Sequence, residues 1–307
     1  IENGAGHGGP GGVPGQVVTV DQAKVEAESL GLEPTAWAAY QNAERELAKP
    51  APDRAAALEA LLSEAGERVC RMGHVIAGEG VIYADAVAEL KAFVELANLP
   101  IITTLKAKGA FPEDHPLFVG VRGDQVNHYL NECDLLFAVG SSLSPGRFSH
   151  GIPNAVNKTI VHCTIDELHV NKTYPTAQAV IGDAKFTLEA LNAEVSAKTS
   201  GNGRPAGDVA SEVKSVRDSA MTKYREAMAS TEKPINPYKV YAGLMEALDP
   251  LTSFVTHESG NTRDQLSTVY ETLVPRGFLG WGNVSSLGFS FAATIAAKQA
   301  FPDKDCV

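Results

Sequence analysis

Cysteine is scarce in this 307-residue chain, and Cys70, Cys133, Cys163 and Cys306 stand singly, with neither zinc-site spacing nor the density of a disulfide framework. A reducing, cytoplasmic setting follows, with the cysteines acting as small apolar core residues. Positive charge is also short: 26 Lys and Arg against 37 Asp and Glu give a formal net charge of -11. Such a field repels phosphate backbones and anionic lipid surfaces, which argues against nucleic acid or a membrane as partner. No apolar run approaches the roughly 18 residues of a membrane span, and the opening residues lack the order of a signal peptide. Gly-x-Ser-x-Gly, Cys-x-x-Cys, phosphate-loop and His-Glu-x-x-His motifs are all missing. What is present, 44% apolar and 21% charged residues, is the balance of a folded chain with length for about two domains at roughly 150 residues each.

The chain opens at Ile1 rather than methionine and stops at Cys306-Val307 as an apolar stretch begins, which reads as a piece of something longer. Residues 1–16, rich in glycine, form a flexible lead; short helical patterns follow at Val20–Leu30 and Thr35–Leu47 before Lys49-Pro50-Ala51-Pro52 breaks the chain. From residue 53 to 195, helices alternate with short, continuously apolar strands. Strands are expected at His74–Ala77, Ile101–Leu105, Leu135–Val139, Thr159–Ile165 and Val180–Ile181, and helices at Asp53–Ala65, Tyr83–Ala97, Asp124–Asn131 and Asp183–Glu194. The fold class is therefore α/β: a nucleotide-binding-like central domain on a parallel sheet covered on both faces. A polar linker (196–208) and a charged helix (Asp208–Ala229) lead at residue 234 to a second, incomplete α/β domain. Its pattern is helix Tyr238–Leu248, strand Ser253–Thr256, a glycine turn and apolar helix Leu287–Ala300.

Three loops could carry chemistry. Gly78-Glu79-Gly80 follows a strand as a dinucleotide fingerprint would, but Tyr83 stands where the third glycine belongs, so a plain tight turn is the better reading. Gly140 to Arg147 leaves the carboxyl end of a strand; its small residues and Arg147 suit a phosphate, and a surface loop suits the sequence equally well. His257-Glu258-Ser259-Gly260-Asn261-Thr262 also links strand to helix, where backbone N–H groups would converge on an anion, Thr262 could cap the helix and Gly260 would permit close approach. From spacing alone it reads as an ordinary capped turn. His115, His128 and His162 are scattered and read as surface or internally satisfied residues.

Several separated blocks resemble the thiamine-diphosphate-dependent enzymes of the acetolactate synthase and 2-oxo-acid decarboxylase superfamily. They are Gly109-Ala110-Phe111-Pro112-Glu113-Asp114-His115-Pro116-Leu117, Cys133 through Ser141, Ile165-Asp166, Asn171-Lys172, Tyr174-Pro175 and Val180 through Ala184. Beyond the linker they continue through Pro234 to Pro237, Thr256 through Asn261 and Pro275 through Gly282. The resemblance implies a central domain followed by the start of a diphosphate-binding domain. It also implies thiamine diphosphate with Mg2+ as cofactors, a 2-oxo acid as substrate, and a homodimer or homotetramer. By position it carries Gly260, Asn261 and Thr262 to the cofactor diphosphate, and Leu287 to the apolar side chain that wedges the cofactor into its bent form. The magnesium ligands of the pattern would fall just past Val307, and residues 1–50 do not resemble the domain that supplies the catalytic glutamate. No catalytic residue is therefore expected in this chain, which alone is expected to be inactive, and FAD is not expected. A stand-alone nucleotide-binding module on the central sheet, or an inert truncated product, are the alternatives.

Overall fold

The computed structural model describes residues 73–144, 151–205, 207–280 and 286–307. The glycine-rich lead, the helices expected before residue 66, Cys70, Arg147 and Trp281 lie outside the described residues. All described residues belong to one compact unit, Pro50–Val307.

Six parallel strands build the larger sheet: β1 (Gly73–Ala77), β2 (Ile101–Thr103), β3 (Phe118–Gly120), β4 (Leu135–Val139), β5 (Thr159–Thr164) and β6 (Gln178–Ile181), in the spatial order β3-β2-β1-β4-β5-β6. The chain winds outward from β1 to one edge, then returns to β4 and winds to the other, so the order reverses between β1 and β4. Register across that seam runs from Gly73 opposite Leu135 to Ala77 opposite Val139. Successive side chains of each strand enter opposite layers, as the two-residue period of a strand requires. Val75, Ala77, Ile101, Phe137, Val139, Val161 and Cys163 join one cluster. Ile76, Ile102, Leu136 and Ile160 join the other. Because both faces are covered, the central strand β4 is apolar without interruption.

The first layer is built by α1 (Gly80–Tyr83), α2 (Val87–Ala97) and α4 (Ala184–Lys198); the second by α3 (Asp124–Glu132) and, after the linker, α5 (Val209–Met228). Asp183 caps α4, its carboxylate accepting from the Lys185 and Phe186 amides. The helix expected over Tyr83–Ala97 is two helices, because Asp85 takes φ 53°, a left-handed conformation that ends the first turn. Its partner expectation over Ile101–Leu105 is likewise shortened, the chain turning into a 3-10 turn at Leu105–Ala107.

A second, three-stranded parallel sheet follows, ordered β8-β7-β9, with β7 at Ser253–Thr256, β8 at Phe278–Leu279 and β9 at Asp305–Cys306. It carries α6 (Pro237–Ala247), α7 (Asn261–Val269) and α8 (Phe289–Ala300). Asn236 caps α6 through the Tyr238 amide, and Pro237 occupies the first turn, where a missing N–H costs nothing.

Helix α5 belongs energetically to the first sheet: Val213 is fully buried among Ile76, Val126 and Leu130, so the core of that layer extends past residue 195. Val213→Ala is accordingly expected to destabilise the chain by about 2 kcal/mol, seen as a lower melting midpoint. An unchanged midpoint would show that α5 lies on the sheet without holding it.

Candidate functional site

At the reversal point between β1 and β4 the glycines are used up by one another. A Cβ on Gly78 would lie 2.3 Å from the Gly140 carbonyl oxygen, and one on Gly80 would lie 2.8 Å from the Gly140 Cα. The Gly80 amide donates to Gly140 at 2.8 Å, so two turns are locked backbone to backbone. The expectation of a plain tight turn at Gly78–Gly80 agrees with this contact. Beyond Gly140, the Ser141 carbonyl accepts from Nε2 of the buried His162 at 2.7 Å. A carbonyl can only accept, so Nε2 carries the proton, and burial holds His162 below its usual pKa. It is a satisfied core residue. Burial also pushes the Cys163 thiol up to about 11, in keeping with a packing role.

The turn after β7 is built differently. All four residues of β7 are buried, and the following His257 is buried as well, its ring 5.7 Å from that of Phe278 on β8. The Thr256 hydroxyl donates to the Leu279 carbonyl at 2.8 Å and pins the end of the strand. The chain then surfaces: Gly260, Asn261 and Thr262 are exposed at the start of α7. Gly260 takes φ 93°, and a Cβ placed there would meet nothing within 4 Å. Only conformation demands the glycine, and the space before it is open.

Thr262 does not cap the helix as the sequence suggested. Gly260 is the N-cap, and the Thr262 hydroxyl, already inside the first turn, donates back to the Glu258 carbonyl at 3.0 Å. The reason is geometric: the left-handed glycine lets α7 begin two residues earlier, which leaves the threonine in helical conformation.

Glu258 is the residue that spacing could not reveal. One carboxylate oxygen accepts from the Ser259 amide at 2.8 Å, and the other accepts from the Ser290 amide at 3.2 Å and hydroxyl at 2.8 Å. The Ser259 amide first, and then Ser290, hold its carboxyl below the usual range. This bridge ties the turn to the first turn of α8, which follows a left-handed Gly288 with φ 82°. A cleft of about 390 Å³ opens beside it, lined among others by Tyr241, His257, Glu258, Thr262, Ser290 and Phe291. On α7 itself, Asp264 pairs with Arg263 and with Arg122 at 2.8 Å. Burial works to raise that carboxyl, but the two arginines outweigh it and hold it low.

The structure thus brings Gly260, Asn261 and Thr262 together at one helix N-terminus. Leu287 does not line the cleft; it stands 85% exposed ahead of α8, which itself begins at Phe289 rather than Leu287. Among the described residues there is no group of three or more His, Cys, Asp or Glu able to hold a metal ion, and no helix long and apolar enough to cross a membrane.

A doubly wound parallel sheet that reverses at β1 and β4, followed by a second parallel unit with an open glycine turn at a helix N-terminus, defines an α/β protein of the nucleotide- and cofactor-binding kind. Residues 69–191 match the family model described as thiamine pyrophosphate enzyme, central domain. The chain is 32% identical over 247 residues to a probable acetolactate synthase large subunit of Methanocaldococcus jannaschii, covering 74% of this chain and 39% of that protein. It is 30% identical over 248 residues to the corresponding protein of Methanococcus aeolicus, covering 76% and 41%. With glyoxylate carboligase of Escherichia coli O157:H7 it shares 27% identity over 246 residues, covering 76% and 40%. Residues 69–191 thus carry the central domain of the thiamine pyrophosphate enzymes, and the chain, similar over about three quarters of its length to acetolactate synthase large subunits, spans about two fifths of the length of the curated relatives it matches.

A carboxyl whose folded pKa lies below its unfolded value contributes above the unfolded value and loses that contribution as pH falls through the folded one. Lowering the pH from about 6 to about 3 should therefore cost the Ser259 and Ser290 amides their protection from hydrogen exchange, beyond the intrinsic rate change. In Glu258→Gln that pH dependence should vanish. Equal pH dependence in both proteins would assign the loss to other carboxyls.

Proposed function

We propose that this chain supplies the central domain and the diphosphate turn of an enzyme that decarboxylates a 2-oxo acid or joins it to a second carbonyl compound, as the names of its acetolactate synthase and carboligase relatives suggest. The observation that carries the reading is the open turn at Gly260. Among the described residues of the three candidate loops, it alone combines a strand end, a left-handed glycine with free space before it, and the N-terminus of a nine-residue helix behind it. Gly260, Asn261 and Thr262 would hold the cofactor diphosphate through N–H groups of the first turn of α7, whose dipole favours an anion there. Leu287, on the exposed approach to α8, would support the cofactor's rings.

When bound, thiamine diphosphate supplies a nucleophilic carbon and an electron sink for the carbanion left by decarboxylation. The residues of this chain orient it and shape its surroundings. Glu258 fixes the turn against α8, and the buried His257 and Phe278 back the turn from behind. The magnesium ion that such a diphosphate needs would have to draw its oxygen ligands from elsewhere, because the described residues offer no cluster for it. Apolar residues left exposed on and before α8, Leu287, Phe291 and Ile295, favour a homo-oligomer in which a neighbouring surface covers them. The unpaired thiols Cys133, Cys163 and Cys306 favour a cytoplasmic location.

The alternative of a stand-alone nucleotide module is less well supported, since Gly78, Gly80 and Gly140 spend their missing side chains on contact with one another.

Helix-terminal N–H groups contribute about 0.3 to 1 kcal/mol toward an exposed anion, whereas micromolar binding needs about 8 kcal/mol. The chain alone should therefore bind thiamine diphosphate far more weakly than the micromolar range and leave pyruvate unconverted. Calorimetric titration should show that weak binding lost in Gly260→Val, where a β-branched side chain opposes a positive φ. Binding of ADP at the same or higher affinity, insensitive to Gly260→Val, would replace this reading with the nucleotide module.

A further inference from the structure

The two sheets meet where the loop after β2 touches the segment entering β8, and a buried ion pair lies in that contact. Lys108 is 1% exposed and Glu113 is 3% exposed. The Lys108 ammonium bonds one Glu113 carboxylate oxygen. That same oxygen accepts from the Thr272 amide at 3.1 Å, while the Glu113 amide donates to the Thr272 carbonyl at 3.3 Å. Glu113 therefore grips Thr272 from both sides of its peptide, across 159 residues of sequence. Its own carbonyl accepts from Arg217 on α5 at 3.1 Å. Gly109 completes the fit: a Cβ there would lie 2.6 Å from the Val274 carbonyl oxygen.

From this pair a short line of contacts runs to the diphosphate turn. The Lys108 ammonium sits 5.3 Å over the Phe278 ring, Phe278 faces His257 at 5.7 Å, and His257 begins the turn that ends at Gly260. A burial this complete is expensive unless both charges remain paired, and such pairs are best attested where they fix a register.

We infer that Lys108 and Glu113 are positioning residues for the turn after β7: the buried pair sets Phe278, and Phe278 with His257 sets the backbone that Gly260 presents. The pair touches neither cofactor nor substrate. The inference rests on the proposed diphosphate site only for its functional meaning, since the coupling itself needs no ligand.

Amide hydrogen exchange in the 307-residue chain reads the coupling directly. Lys108→Met strands Glu113 as an unpaired buried charge and is expected to speed exchange across residues 257–264 by about fivefold or more, with β1 and β4 unchanged. Adding Glu113→Gln, which keeps an acceptor for Thr272 and removes the stranded charge but restores neither the pair nor the ammonium over Phe278, should slow exchange only in part and leave residues 257–264 at least about twofold faster than in the unmodified chain. Acceleration limited to residues 105–118 and 270–277, acceleration shared equally by β1 and β4, or a return of the double variant to the rates of the unmodified chain would each overturn the inference. Should Lys108→Met fail to fold, Phe278→Leu decides the matter, because it leaves the ion pair intact and must loosen 257–264 alone. Inorganic pyrophosphate added to the unmodified chain tests the site separately: slowed exchange at 259–262 supports the diphosphate reading. Its absence would overturn that reading while leaving the coupling result in place.

Discussion

A lysine and a glutamate taken out of water sit where this molecule's two parallel sheets meet, and the glutamate bonds Thr272 on the far side through both its carboxylate and its amide. Burial pushes Glu113 up and Lys108 down, and each is opposed by the charge of its partner. Neither could remain charged alone at so little exposure, so the pair stands or falls as one. The smaller sheet needs such an anchor. Two of its three strands contain two residues each, and a sheet of that size is marginal by itself. Its glycine turn is therefore placed by contacts with the larger sheet: the Thr272 grip, the lysine over Phe278, and the pairing of Arg122 with Asp264 on α7.

The larger sheet divides support from binding in another way. In open α/β sheets the crevice at the strand-order reversal is the usual ligand location. Here the turns after β1 and β4 fill it with their own backbone, and Gly78, Gly80 and Gly140 are glycines because any side chain would collide with the opposite turn. Open space before a left-handed glycine occurs instead after β7. The same residue type thus serves two ends, close packing in one place and access in the other.

Much of this was legible in the sequence where burial on both faces forced continuous apolar runs. Leu135–Val139 and Ser253–Thr256 stand where the pattern puts them, and the α/β class follows from the alternation alone. The strands Phe118–Gly120, Phe278–Leu279 and Asp305–Cys306 left no trace, since segments of two or three residues become strands only through partners distant in sequence. The candidate turn at Gly260, Asn261 and Thr262 could be proposed only through the family resemblance, because a strand, a glycine and a helix start in succession read by themselves as an ordinary capped turn. Glu258 could not, because its meaning depends on Ser290, 32 residues away. Lys108 and Glu113 lay inside a block that resembles the family, but no periodicity marks two charged side chains as buried.

In the proposed function the turn after β7, and not the crevice between β1 and β4, receives the phosphorylated cofactor. Amide chemical-shift mapping with millimolar thiamine diphosphate and magnesium tests it most directly. Shifts are expected to concentrate at Ser259 to Thr262 and at Ser290, with Gly78, Gly80 and Gly140 unmoved. Shifts centred on Gly78 to Gly80 and Gly140 to Ser144, with the β7 turn silent, would contradict it.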